Sequence, residues 1–240
     1  GVLNPVEELS RALHEYGIMT IVDSVSAMMG EPLRVDEGQI DIVCGGSQKA
    51  VSAPPGLTFV VVSDDAKEKM RNRKTPIASF YANLKAFDGY YEKKWFPYTM
   101  PISDIYGLRA AFNLIAGDET LYERHARIGS ATRAAVKEAG LKLHLQSGYS
   151  NTVTVFDIPE CTDAKSILDE MRTKYNIMLA GSFDELSGKV IRIGHMGENA
   201  RLEHMVPTLE ALSATLTDLR VKLQGNLADL FLKHYREFQA

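Results

Sequence analysis

Two side chains near the start of the chain have types and positions that suit catalysis. Asp23 ends the apolar run IMTIVD, and Lys49 follows the next such run, QIDIVCGGS. Each run predicts a buried strand, so both side chains are expected at carboxyl ends of strands, where active residues of α/β sheets tend to lie. Lys49 is also the only charged residue between Asp41 and Asp64, which is unusual for a lysine.

Three chemistries use a lysine that follows glycines. A phosphate-binding loop needs G-x-x-x-x-G-K-[ST], and the segment GGSQKA has the wrong spacing and no hydroxyl after its lysine. A dinucleotide fingerprint needs three spaced glycines that open a helix, and neither GGS nor GHMG provides them. The chemistry that remains is an amine nucleophile that forms a Schiff base with a carbonyl compound.

The most general carbonyl partner of such a lysine is the aldehyde of pyridoxal phosphate (PLP), which acts as an electron sink. PLP needs a carboxylate beside its pyridine nitrogen, and Asp23 is of the right type for this role. Spacing alone still favours a simpler interpretation, in which Asp23 caps a helix or turn and Lys49 lies in a solvated loop.

A longer pattern surrounds these two residues. The motif D-S-V-S at 23–26 is followed by Asp41, by G-S-Q-K at 46–49 and by A-P-P-G-L at 53–57. Two further segments are FPYTMPISDIYGLRAAFNLI at 96–115 and RIGHMG at 192–197. Together these segments resemble the class V PLP-dependent aminotransferases of the alanine–glyoxylate and serine–pyruvate kind. The resemblance covers the chain up to about Gln224.

The resemblance implies which residues hold the cofactor. Lys49 would form the Schiff base and carry the proton between the substrate α-carbon and the cofactor. Asp23 would pair with the pyridine nitrogen, Val25 would pack on one face of the ring, and Gln48 would reach the phosphate or a ring oxygen. Thr99 would contact the phosphate bound by the neighbouring subunit, which implies a homodimer.

The resemblance also implies the reaction. Arg192 would bind the substrate α-carboxylate, a bidentate task that suits a guanidinium. The expected activity is transfer of an amino group from a small amino acid of the alanine or serine type to a 2-oxo acid, glyoxylate or pyruvate. Pyridoxamine–pyruvate, ureidoglycine–glyoxylate and aminoethylphosphonate transaminases stay open as alternatives, as does a non-catalytic fragment of such an enzyme. A cysteine desulfurase would need a cysteine in a mobile loop, and neither Cys44 nor Cys161 lies in an evident one.

Two departures from the family pattern concern cofactor binding. Phe96 stands where many relatives have a tyrosine that helps to hold the phosphate across the dimer, so one hydrogen bond is expected to be missing. The family's N-terminal part, which cradles the phosphate and stacks an aromatic ring on the pyridine, has no counterpart, and the chain does not begin with methionine. We therefore expect that the chain is a piece of a longer protein and that it binds PLP weakly or not at all by itself, whereas the full-length protein binds PLP firmly.

The hydrophobic pattern predicts an α/β fold: a mixed, mostly parallel sheet with helices, and a smaller α+β domain at the C-terminus. With the resemblance, this is the C-terminal part of a fold-type I PLP-dependent transferase. Residues 1–100 are expected to be the remainder of the large PLP-binding domain, residues 101–138 connecting helices, and residues 139–240 the small domain.

Individual elements follow from the same pattern. LTFVVVS predicts a third strand in the large domain, and LKLHLQ, TVTVFDI and KVIRIGHM predict strands in the small one. Helices are expected over residues 5–16, on both sides of Gly117, over AKSILDEMRTKY, over LEHMVPTLEALSATLTDLRVKL and over the tail NLADLFLKHYREFQ. The aromatic-rich stretch 66–98 is expected to be an irregular connection.

Composition excludes several functions. The formal net charge of −4 gives no reason to expect a nucleic-acid partner or an anionic membrane surface. Two cysteines form neither a disulfide framework nor a metal-ligand cluster, which is typical of a reducing compartment such as the cytoplasm. No apolar stretch reaches the ~18 residues of a membrane span.

Overall fold

The computed structural model describes residues 1–238, which form two compact units. The sheet unit consists of Pro5–Val25 and Leu33–Leu114. The C-terminal unit consists of Gly1–Asn4, Ser26–Pro32 and the chain from Ile115 onward. The division at residues 100 and 138 that the sequence suggests stays a prediction. The last residue of the predicted tail helix, Gln239, lies outside the described residues.

The sheet unit is built on three strands. They are β1 (Ile21–Asp23), β2 (Ile42–Gly46) and β3 (Thr58–Val62). The strand β1 pairs with β2 in parallel, and β3 pairs with β2 antiparallel, so the predicted mixed sheet is confirmed. Asp23 lies opposite Cys44, which places the ends of β1 and β2 at one edge of the sheet. The predicted site residues Asp23 and Lys49 therefore follow neighbouring strands.

Helix α1 (Val6–His14) precedes β1 along the chain, and helices α2 (Asp64–Arg71) and α3 (Ile102–Ala116) follow β3. The prediction of an irregular connection over residues 66–98 is wrong for its first part, which belongs to α2. The side chain of Ser63 accepts a hydrogen bond from the Ala66 amide, and acidic residues in the first turn complement the helix dipole. The remainder is irregular apart from a short 3₁₀ turn, Leu84–Phe87.

The C-terminal unit contains the remaining elements. They are α4 (Leu121–Glu138), β4 (Val153–Asp157), α5 (Ala164–Tyr175), β5 (Val190–Gly194), α6 (Leu202–Asp218) and α7 (Leu227–Glu237). The strands β4 and β5 are antiparallel, with Val155 opposite Arg192. Phe156, Ile191 and Ile193 are fully buried beneath the helices, so one face of this ribbon forms the core.

One predicted strand of this unit does not form. The segment LKLHLQ makes only an isolated bridge from Leu143 to Phe156, flanked by hydrogen bonds that run beside β4. Gly140, with φ 86°, ends helix α4 directly before this stretch, and Gly148, with φ 69°, turns the chain after it. The predicted break near Gly117 is confirmed, since α3 ends at Ala116 and α4 begins at Leu121.

None of the helices within residues 1–238 combines the length and the apolar character that crossing a membrane requires.

Candidate functional site

The backbone around Lys49 is held by Ser47, which is fully buried. The Ser47 hydroxyl donates to the Pro54 carbonyl at 2.6 Å, and its amide donates to the Leu57 carbonyl at 3.1 Å. The Ala53 amide donates a hydrogen bond to the Ser47 carbonyl at 2.9 Å. The loop that follows β2 is therefore closed on itself, and this fixes the start of the Lys49 side chain.

The Lys49 amine has no partner within the described chain. Its side chain is half-buried, yet no hydrogen bond or ion pair to any of residues 1–238 involves its nitrogen. A lysine ammonium loses hydration on partial burial, and a carboxylate partner would normally compensate for that loss. The absence of such a partner leaves the nitrogen available for a bond to a ligand.

The Asp23 carboxylate is oriented by the backbone amide of Val25. Its Oδ1 accepts a hydrogen bond from the Val25 amide at 2.9 Å, and the Ser24 amide donates to the Cys44 carbonyl at 2.8 Å, which extends the β1–β2 pairing. Within residues 1–238 the Oδ2 atom has no hydrogen-bond partner. Oδ1 thus fixes the turn, while Oδ2 can accept a hydrogen bond from a ligand.

Gly46 creates the space that the predicted cofactor residues share. A Cβ atom at this position would lie 2.9 Å from the Gln48 Oε1 atom and 3.3 Å from the Val25 Cγ1 atom. Only a residue without a side chain lets these two groups approach the end of β2 so closely. The structure therefore brings Val25 and Gln48 together beside Gly46, and their contact with PLP stays a prediction. Amine, carboxylate and amide groups at this edge match the donors and acceptors that PLP requires.

Thr99 and Phe96 lie in the irregular stretch before α3. Thr99 is exposed, and no hydrogen bond to the described residues involves its side chain. The Phe96 ring is half-buried, with its centroid 5.8 Å from that of Phe87 and 6.4 Å from that of Tyr98. Phe96 therefore has a packing role within an aromatic cluster, and the contact of Thr99 with a neighbouring subunit stays a prediction.

Arg192 lies in the C-terminal unit with part of its guanidinium free. Its Nε donates to the Gly181 carbonyl at 2.5 Å, and the guanidinium carbon is 5.7 Å from the centroid of the Phe183 ring. Its amide and carbonyl pair with Ala180 on the side away from β4. The two terminal nitrogens have no partner within residues 1–238, so they form an open fork that suits a carboxylate.

Two buried histidines lie at or beside the chain segment that follows Arg192, and the sequence predicts a functional role for neither. His125 on α4 and His195 after β5 are both fully buried. Burial lowers the pKa of His125 and lowers that of His195 to about 3, so both rings are neutral. The pattern of α4 gives no signal for His125. For His195 there is a signal: a polar residue follows Ile191 and Ile193 at the next alternate position, where another apolar residue would be expected.

The described residues contain no cluster of three or more histidine, cysteine, aspartate or glutamate side chains that could hold a metal ion.

Comparison with known proteins identifies the class to which this arrangement belongs. The family model described as aminotransferase class-V matches residues 1–180. An uncharacterised aminotransferase of Methanocaldococcus jannaschii is 37% identical over 223 residues, which are 91% of this chain and 57% of that protein. An alanine–glyoxylate aminotransferase of Callithrix jacchus is 34% identical over 226 residues, 90% of this chain and 54% of that protein.

The solved structures agree with the sequence comparison. The crystal structure of ureidoglycine–glyoxylate aminotransferase from Bacillus subtilis has a TM-score of 0.92 and 31% identity, and the match covers 98% of this chain and 62% of that one. The chain belongs to the aminotransferase class-V family. Its fold is that of the fold-type I PLP-dependent aminotransferases, and PLP is the cofactor of this family, as the sequence predicts. The chain spans about half the length of the curated relatives it matches.

Proposed function

We propose that the protein is a PLP-dependent aminotransferase that transfers an amino group from a small amino acid of the alanine or serine type to glyoxylate or pyruvate. The observation that carries this proposal is the half-buried Lys49 amine, which is unpartnered within residues 1–238 and follows shortly after Gly46, where Val25 and Gln48 approach the end of β2. Bound PLP supplies a positively charged ring that withdraws electrons from the substrate α-carbon.

Asp23 keeps a proton on the pyridine nitrogen in this proposal. Its Oδ2 accepts a hydrogen bond from the protonated pyridine nitrogen, while its Oδ1 keeps the hydrogen bond from the Val25 amide. A carboxylate next to the nitrogen favours the protonated form, because the opposite charges attract at short range. The Val25 side chain covers one face of the ring, and the Gln48 amide donates to the phosphate or to a ring oxygen.

Lys49 moves the proton. Its nitrogen would hold the cofactor, and its amine, when free, would be the base that removes the proton from the substrate α-carbon and returns it. This role needs an amine that is not held by a carboxylate, and no such partner exists within residues 1–238. Positioned general bases of this kind contribute about 10²–10⁴ to the rate.

Arg192 selects substrates that carry a carboxylate. Its two terminal nitrogens donate to the α-carboxylate, and the bond from Nε to the Gly181 carbonyl keeps the fork in one orientation. Thr99 contacts the phosphate of a neighbouring subunit in a homodimer.

The experiment introduces Lys49→Ala into the full-length protein purified with PLP and follows transfer of the amino group from alanine to glyoxylate. We expect turnover to fall about 10³-fold or more and the visible absorbance of lysine-bound PLP to disappear. Lys137→Ala, on the exposed side of α4, is the matched control and should retain both. Normal turnover by Lys49→Ala would refute the proposal.

The same assay decides among substrates. Alanine, serine, pyridoxamine, ureidoglycine and aminoethylphosphonate are offered as donors one at a time, with the keto product identified by mass. Similarity to the Bacillus subtilis structure makes ureidoglycine with glyoxylate the second candidate pair. A protein that transfers an amino group from none of these donors would be the non-catalytic alternative.

A further inference from the structure

His195 occupies an unexpected place in strand pairing. Ile191 and Ile193 of β5 are fully buried, and His195 continues the same alternate positions, whereas Arg192 points to the opposite face. A third aliphatic residue would continue this core face and bury more apolar surface. The polar ring must therefore be compensated by specific partners.

Those partners determine which ring nitrogen carries the hydrogen. The His195 Nδ1 atom lies 3.0 Å from the Asn151 carbonyl oxygen, which can only accept, so Nδ1 donates. In the neutral ring Nε2 then accepts, and its neighbour at 2.8 Å is the Thr154 hydroxyl, which donates. The His195 amide adds a bond of 3.0 Å to the Thr152 carbonyl. A single side chain thus joins the end of β5 to the beginning of β4.

Asn151 is itself firmly held. Its amide and its Nδ2 atom both donate to the carboxylate of Glu31, the latter at 3.2 Å, and its Oδ1 accepts from Arg133 at 3.0 Å. Glu31 is only 3% exposed, so these bonds are screened from water. Gly129 of α4 permits this packing, because a Cβ there would lie 3.1 Å from the Asn151 Cα atom.

The turn after β5 has a second anchor. The Gly197 amide donates to Nε2 of His125 at 2.9 Å, and Nδ1 of His125 donates to the Leu121 carbonyl at 2.6 Å. The segment from Arg192 to Gly197 is therefore held by hydrogen bonds at His195 and at Gly197.

These contacts matter for Arg192 because β4 and β5 form a two-stranded ribbon. A slip of one residue in such a pair turns every side chain to the other face. Thr154 lies opposite Ile193 and Val155 lies opposite Arg192, so the bond between Thr154 and His195 forms in a register that presents Arg192 away from the core, and a shift of one residue would break it. Buried polar groups that fix register at some cost in stability are well attested in other folds.

We infer that His195, through Asn151 and Thr154, is a positioning residue that fixes the register of β4 and β5 and thereby the orientation of the carboxylate-binding Arg192. This inference rests on the proposed function, since it concerns the group that binds the substrate carboxylate. His195 does not touch the substrate. Its effect is confined to recognition of the carboxylate, and attachment of PLP at Lys49 does not depend on it.

The test is a double variant, His195→Leu with Thr154→Val, which removes the polar pair and continues the apolar face. Three measurements are made on the PLP-loaded protein: KM for alanine, the rate at which ethylamine displaces Lys49 from PLP, and hydrogen exchange of the β4 and β5 amides. We expect KM for alanine to rise about tenfold or more, an unchanged rate with ethylamine, which has no carboxylate, and faster exchange in β5. An unchanged KM and unchanged exchange in the folded variant would overturn the inference.

Two further variants make the result decisive. Should the double variant fail to fold, His195→Gln takes its place: its amide can reach Thr154 but does not reproduce the Nδ1 bond to Asn151, and the same rise in KM is required. Arg192→Lys tests the proposed function separately. If Arg192→Lys leaves KM for alanine unchanged, the assignment of Arg192 is wrong. If only Arg192→Lys raises KM, the assignment stands and His195 has no positioning role.

Discussion

Acidification should destabilise the C-terminal unit through His195 well before the carboxylates titrate. The ordinary pKa of histidine is about 6.5, and burial lowers that of His195 to about 3. The positive charge of Arg133 acts in the same direction. Between these two pKa values the unfolded chain binds a proton that the folded protein does not bind. Stability is therefore complete above pH 6.5 or so, and it decreases as the pH falls.

The magnitude follows from the width of this window. Each pH unit below about 6.5 costs about 1.4 kcal/mol, so His195 should lower the free energy of unfolding by about 2 kcal/mol at about pH 5. Burial also lowers the pKa of His125, which adds a loss of the same sign. Asp118 and Asp157 have lowered pKa values because of hydrogen bonds to basic partners. Their unfolded forms titrate near pH 4, so their contribution is lost mainly below this range.

The assay is urea unfolding followed by far-ultraviolet circular dichroism, at several pH values between about 7.5 and 5. Circular dichroism follows the helices of both units, of which α4 to α7 in the C-terminal unit contain most of the helical residues, whereas Trp95 belongs to the sheet unit. His195→Gln removes the titrating ring and should flatten the pH dependence by about 2 kcal/mol relative to the unsubstituted protein. His204→Gln, at an exposed position on α6, is the control and should change nothing. Equal pH dependence in His195→Gln and the unsubstituted protein would refute a buried, neutral His195.

Three other substitutions have defined outcomes. Gly46→Ala inserts a Cβ 2.9 Å from Gln48 Oε1, a flexible atom that can move, so PLP affinity in an absorbance titration should fall about tenfold while the melting temperature changes little. Unchanged affinity would contradict the shared space at Gly46. Phe156→Ala empties the centre of the C-terminal core and should cost about 3–5 kcal/mol in urea unfolding. Asp163→Ala removes the N-cap bond to the Ser166 amide, 2.9 Å long, and should cost about 1 kcal/mol by the same measurement. Losses below half of either value would show that the core or the cap rearranges.

The sequence predicts the strands of the sheet unit well because each strand is indicated by residues that are close together along the chain. Short apolar runs give the strands, and the glycines and prolines after β2 mark the loop that carries Lys49. The grouping of Val25 with Gln48 beside Gly46 follows from parallel pairing of neighbouring strands. Helix α2 was missed although Ser63 gives a capping signal, because the aromatic stretch that follows it dominates the local composition.

Long-range contacts account for the features that sequence reasoning does not reach. Glu31 and Asn151 are 120 residues apart, and no periodicity connects them. The same applies to His125 and Gly197, which are separated by 72 residues. The segment Ser26–Pro32 joins the C-terminal unit through such contacts, although it follows a strand of the sheet unit directly.

Lys49 and Arg192 are half-buried basic residues without a carboxylate partner among residues 1–238. Lys142, Lys174 and Lys233 each form an ion pair with a carboxylate on another segment. Lys49 is half-buried and has no partner within residues 1–238, and Arg192 uses only Nε. Partial burial of an uncompensated cation opposes folding, so stability alone does not explain either residue. Local rules are broken in this way where binding or catalysis requires it. A PLP aldehyde for Lys49 and a substrate carboxylate for Arg192 are the partners that would satisfy both groups.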